Sequence, residues 1–183
     1  LLISAATAYI ISTRGVAYFT DTFIGNDTKD LLEGEWILNE YGTPPVTITT
    51  PDVLVRDLTD TLGIASGRET FKYGSIESNL YIDLNTRPVS EDFELESALE
   101  EVYTYLEKRG ARNILTKQEE FTTLNGLEGL RIFGTMDFEK QNGRLQQKEY
   151  EILNFGLGEA YQQIVVIHDE EDTYADEITQ RIT

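Results

Sequence analysis

His168 is the only histidine of the chain, and it opens the most acidic stretch of the sequence. It is followed at once by Asp169, Glu170, Glu171 and Asp172, and residues 169–177 carry six carboxylates. A histidine beside a carboxylate can serve as general base to a serine nucleophile. That chemistry needs the serine on a sharp strand-to-helix turn, and no G-x-S-x-G motif is present. A histidine-based metal centre would need more nitrogen ligands than one histidine supplies, so no metal ligand is assigned. Calcium takes oxygen ligands, but the run lacks the alternating ligands and central glycine of an EF-hand loop. Acidic side chains gathered at the start of a last helix, where its dipole favours them, explain the run more simply. His168 is therefore expected at a strand end, hydrogen-bonded at the surface, and its replacement by alanine to leave fold and function nearly intact.

Other chemistry is excluded by composition. With no cysteine, the chain can have no disulfide, thiolate nucleophile or iron–sulfur cluster. Gly156 and Gly158 lack the third glycine and the strand-to-helix setting of a dinucleotide-binding loop, so no cofactor is expected. The 33 acidic residues permit many carboxylate pairs of the kind used in glycoside hydrolysis, and their abundance singles out none. A hydrolase using such a pair, or His168, is the alternative to a binding role. Tyr73, Tyr81, Tyr150 and Tyr161 fall on or beside predicted strands. They are the candidate protein-binding surface, with cross-strand or core packing as the plainer reading.

The 183 residues suffice for an ordinary domain with an extension. Fifteen basic against 33 acidic residues leave a net charge of -18. Nucleic acid is excluded as a partner, because binding it depends on Lys and Arg displacing counterions. The body of the protein is also repelled by anionic lipid.

Residues 1–24 differ from the rest. Leu2, Ile3, Tyr9, Ile10 and Ile11 belong to a run without charge before Arg14, and Tyr18 and Phe19 to a second apolar run. The first run is too short to span a bilayer alone, since spanning takes about 20 apolar residues. It is expected to be the tail of a membrane anchor or a partner-binding helix, with an amphipathic arm packed on the domain as the other possibility. The segment "GNDTKDLLEGEW" reads as a linker with room for one short helix capped by Asp27 or Thr28. Gly42, Pro44 and Pro45 form a strong breaker. The predicted division is thus an arm and linker over 1–43 and a folded domain over 44–183.

Within that domain, "VTITTP", "FKYGSI" and the alternating "LYIDLNT" read as strands. Leu95, Ala98, Leu99, Val102, Tyr103 and Leu106 recur at helical spacing and predict a helix over about 91–109. Four strands are predicted at roughly 112–122, 127–139, 145–155 and 160–168, with two-residue turns at Asn125-Gly126 and Asn142-Gly143. A last helix is predicted from about 173. Consecutive hairpins imply an antiparallel meander covered by helices, an α+β layered α/β/α-like sandwich.

The stretches "PPVTITTPDVLVR", "LEGLRIFGTMDF", "YEILNFG" and "YQQIVVIHDEEDTYADEITQRIT", taken with this element order, resemble the PsbP-like fold over roughly residues 44–183. That fold occurs in photosystem extrinsic proteins, a Ran-binding nuclear transport factor and many bacterial envelope proteins. The resemblance implies docking onto partners rather than catalysis, and it carries over no site residue. The expected role is a non-catalytic, membrane-associated interaction domain. It would act as accessory subunit of a larger assembly, with residues 44–183 in an aqueous compartment.

Overall fold

Alternation along residues 80–88 sets the frame of the molecule. Leu80, Ile82 and Leu84 are buried on one side of a strand, and Tyr81 and Asp83 are buried on the other. A strand buried on both sides must lie inside a sheet covered on both faces. The computed structural model describes residues 27–42, 45–59, 67–89, 93–123, 126–139, 143–157 and 160–182. It contains strands β1 (Trp36–Tyr41), β2 (Val46–Pro51), β3 (Val55–Arg56), β4 (Glu69–Tyr73) and β5 (Leu80–Pro88). These are followed by β6 (Ala111–Thr122), β7 (Glu128–Glu139), β8 (Leu145–Leu157) and β9 (Ala160–Asp169). The helices are α1 (Asp27–Glu33), α2 (Ala98–Lys108) and α3 (Thr173–Ile182). The fold is α+β.

The main sheet has seven strands in the order β3-β4-β5-β9-β8-β7-β6, and its neighbours run antiparallel. Strands β6 to β9 form the expected meander, and β9 then pairs with β5, so the most apolar strand lies at the centre. An apolar cluster lies on each face. On one, Ala98, Val102 and Leu106 of α2 pack with Ile132, Met136, Ile152 and Val165. On the other, Ala175, Ile178 and Ile182 of α3 pack with Ile82, Leu84, Leu153 and Val166. Helix α2 presents these residues at i, i+4 and i+8 and α3 at i, i+3 and i+7, one stripe to each face.

Near Gly134, β7 comes close enough to β6 that an added Cβ would stand 1.9 Å from the Leu115 carbonyl oxygen. The pairing shifts register beside it, between Arg112 and Leu115, where Asn113 takes φ 51°. Glycine is needed for that approach, as a bulged edge strand commonly requires.

On either side of the predicted breaker, β1 and β2 pair antiparallel from Trp36↔Pro51 to Tyr41↔Val46. Tyr41 is buried, and Leu31, Leu32 and Trp36 pack against the α3 cluster. The folded body thus begins within the predicted linker. Thr28 joins α1 to the start of α3 through a 2.6 Å hydrogen bond from its Oγ1 to Asp172 Oδ2. The two-residue turns are also corrected. The strand pairs end at Thr122↔Glu128 and Glu139↔Leu145, so the loops are longer, with Gly126 and Gly143 at φ 80° and 76°. Asn125 and Asn142 themselves lie outside the described residues.

Helix α2 starts later than its periodicity suggests. A single 3-10 turn, Leu95–Ser97, precedes it, because Phe93 and Leu95 pack onto the sheet before the helix begins. Leu2, Ile3, Tyr9, Ile10, Ile11, Tyr18 and Phe19, the expected membrane or partner contacts, lie outside the described residues. Among the described residues no helix is long and apolar enough to cross a membrane.

Candidate functional site

Helix α2 covers only part of its face of the sheet. Its apolar stripe sits with β7, β8 and β9, and the same face of β4 and β5 carries Thr70, Lys72, Asp83, Asn85 and Arg87 instead. The result is a polar cleft of about 710 Å³ between those strands and the outer side of α2, which contributes Glu100, Glu101, Thr104, Tyr105 and Lys108. Four carboxylates (Asp57, Asp83, Glu100, Glu101) and five basic groups (Arg68, Lys72, Arg87, Lys108, Arg109) line it. In a chain of net charge -18, this is a local concentration of cations.

Asp83 lies at the floor, 2% exposed. The Tyr81 hydroxyl donates to its Oδ2 at 2.8 Å, and the Tyr105 hydroxyl donates to the same oxygen at 2.9 Å. Its other oxygen, Oδ1, is buried without a hydrogen-bond partner among the described residues. Such a group costs about 1–3 kcal/mol or more when charged, so natural folds rarely keep one without a use for it. Burial first, then the Asp83 charge, pushes the Tyr81 hydroxyl up to about 12, and the same two causes hold Tyr105 well above its ordinary range. Both tyrosines therefore stay protonated as donors. The Arg109 guanidinium stacks on the Tyr105 ring, 3.6 Å from its centroid, and closes one end of the floor.

The walls are fixed by a second set of contacts. Arg87 pairs with Glu101, its Nη2 donating to both carboxylate oxygens at 2.7 and 2.5 Å, so β5 holds α2 in place. The same guanidinium lies 4.8 Å from the centre of the Tyr161 ring, which meets Phe93 edge-on at 5.0 Å. At the far rim Lys72 pairs with Asp57 at 2.6 Å. The Lys72 ammonium, with Thr59 as a further donor, holds the Asp57 carboxyl down at about 2. A depressed carboxylate stabilises the fold above its unfolded value and loses that contribution as pH falls through the folded one. For Asp57 that window runs from about 4 to about 2.

The structure corrects the expected exposure of the tyrosines. Tyr81, Tyr150 and Tyr161 are 6%, 2% and 2% exposed, and Tyr73 is half-buried. Tyr150 bonds Thr116 at 2.7 Å across the β6 edge, and Tyr161 donates to Asn154 Oδ1 at 2.5 Å. They pack in the core as cross-strand residues, and only Tyr81 and Tyr161 reach the cleft. His168 is corrected too. It is 3% exposed rather than at the surface, because β9 is central and α3 covers that end of its face. Replacing it would therefore disturb the fold. The acidic run does begin the last helix: Asp172 Oδ1 accepts the Tyr174 and Ala175 backbone amides, each at 3.1 Å.

Asp83 and Asn85 were visible in the sequence as the polar side of an alternating strand. Their burial was not, since alternation does not tell what covers a polar face. Against models of known protein families the chain finds no match, and no curated protein matches it.

Proposed function

We propose that this chain is a non-catalytic protein-interaction domain, an accessory subunit held at a membrane through its apolar residues 1–24, and that its partner docks in the polar cleft. The observation that carries this reading is the polar cleft itself, about 710 Å³, lined by four carboxylates and five basic groups with the Asp83 carboxylate at its floor. An entering polypeptide with a lysine ammonium or a backbone amide at that point meets the Asp83 charge at the floor. The mixed lining suits a polypeptide of both charge signs, and its four carboxylates disfavour nucleic acid. Tyr81 and Tyr105 serve as fixed donors that hold the carboxylate in position.

Asp83→Asn tests this. The amide oxygen can still accept both tyrosine hydroxyls, so stability should stay within about 1 kcal/mol of wild type. Truncating one side of a buried charged contact costs about 2–5 kcal/mol in binding, at least about 30-fold in affinity. Partner recovered from detergent-solubilised native membranes should fall accordingly. Undiminished recovery by a stably folded Asp83→Asn chain would refute the cleft as the docking site.

A further inference from the structure

At the opposite face and the other end of β9, three potential ligands converge. Glu149 on β8 is the direct cross-strand partner of His168 on β9, and Asp176 projects from the first turn of α3. One ligand atom from each lies within 4.8 Å of the other two. We propose that Glu149, His168 and Asp176 form a binding site for a divalent ion of the zinc class.

The histidine is the observation that separates this trio from an ordinary acidic surface. It is 3% exposed, and its Nδ1 lies 3.1 Å from the Asp169 carbonyl oxygen, to which it donates. That bond leaves the lone pair on Nε2, which points to Glu149 Oε2 at 3.8 Å, beyond hydrogen-bond range. A ligating imidazole characteristically has its other nitrogen anchored to a carbonyl in this way, which fixes its tautomer and orientation. The anchor is itself restrained. Asp169 accepts a 2.7 Å bond from the fully buried Lys148, so the backbone that holds the ring cannot drift.

The carboxylates supply the adjustable part. The Glu149 side chain is 41% exposed, which gives an ion a path in and the side chain room to turn. Asp176 Oδ2 accepts Gln180 Nε2 at 3.0 Å, leaving Oδ1 for a metal. Ligand atoms on a tetrahedral zinc stand about 3.3–3.6 Å apart, given bonds of about 2.0–2.2 Å, so small rotations of two surface side chains close the site. Carboxylate oxygens of Glu149 and Asp176 take the places that further imidazoles would fill, a set the sequence alone did not bring together, and the fourth position is left to water. Imidazole with two carboxylates suits zinc better than magnesium or calcium, which want oxygen donors throughout.

With one histidine and no cysteine, the chain offers a direct experiment. The untagged full chain is titrated with zinc chloride while the His168 imidazole resonances are followed, and affinity is read from competition with a chromophoric indicator. The expected result is saturation at one zinc per chain with the His168 signals shifted, and no displacement by millimolar calcium or magnesium. Because His168→Ala also empties a buried position, Glu149→Gln and Asp176→Asn carry the genetic test. Each should weaken zinc by at least about 10-fold, the lower bound for losing even an outer-shell partner, with the fold intact. Unmoved His168 signals under saturating zinc, or unchanged affinity in both carboxylate variants, would overturn the site. Displacement by calcium would overturn its zinc-class assignment.

Discussion

Lys148→Ala is expected to lower the unfolding free energy by about 3–5 kcal/mol, the usual cost of breaking a buried ion pair from one side. Lys148 is 0% exposed, and its ammonium donates to the Ser78 carbonyl and to Asp169 Oδ1, each at 2.7 Å. Removing it leaves Asp169, itself 17% exposed, without its counter-charge, and empties the volume of the long side chain. Lys148 also joins the approach to β5 at Ser78 to the end of the β8–β9 pair, so the loss loosens that end of the sheet. Against a typical stability of about 5–15 kcal/mol, such a variant would be partly unfolded near body temperature. Urea denaturation would show a lower midpoint with an unchanged slope. Lys148→Met combined with Asp169→Asn should recover much of the loss, because removing both charges leaves nothing stranded. A single variant within about 1 kcal/mol of wild type would mean that Asp169 finds water instead.

The second large effect concerns the cleft floor. Tyr81→Phe with Tyr105→Phe removes both donors from an Asp83 carboxylate whose other oxygen has none among the described residues. Hydrogen bonds to a charged group contribute about 1.5–3 kcal/mol each, so the pair should cost about 3–6 kcal/mol. Each single change should cost less than half of that, since the remaining tyrosine still holds the shared oxygen. Adding Asp83→Leu to the double variant should restore stability, as a buried polar group replaced together with its partners is nearly neutral. Thermal unfolding of the four variants would separate this outcome from a simple loss of packing. A packing loss would persist in the triple variant.

Much of the sheet could be read from the sequence, because its strands obey local rules. The predicted strands at 112–122, 127–139, 145–155 and 160–168 lie within a residue or two of β6 to β9, and α3 begins at residue 173 as expected. Alternation, turn residues and an acidic helix start are all local signals. The early segment was less legible, because Gly and Pro suit a hairpin turn as well as a linker, and the β1–β2 pairing and the packing of Leu31, Leu32 and Trp36 are long-range. The candidate sites were less legible for the same reason. Asp83 meets Tyr105 across 22 positions of sequence, and Glu149 meets His168 only through the β8–β9 register. Lys148 carries no local sign of burial, and strand order alone buries it.

Site-specific photocrosslinking in native membranes tests the docking claim most directly. A photoreactive phenylalanine derivative replaces Thr104, an exposed residue on the α2 wall of the cleft, or Leu115, which is 69% exposed on the opposite sheet edge. The cleft account predicts a discrete polypeptide adduct from position 104, abolished by Asp83→Asn, and none from position 115. An adduct from position 115 with none from position 104 would contradict it.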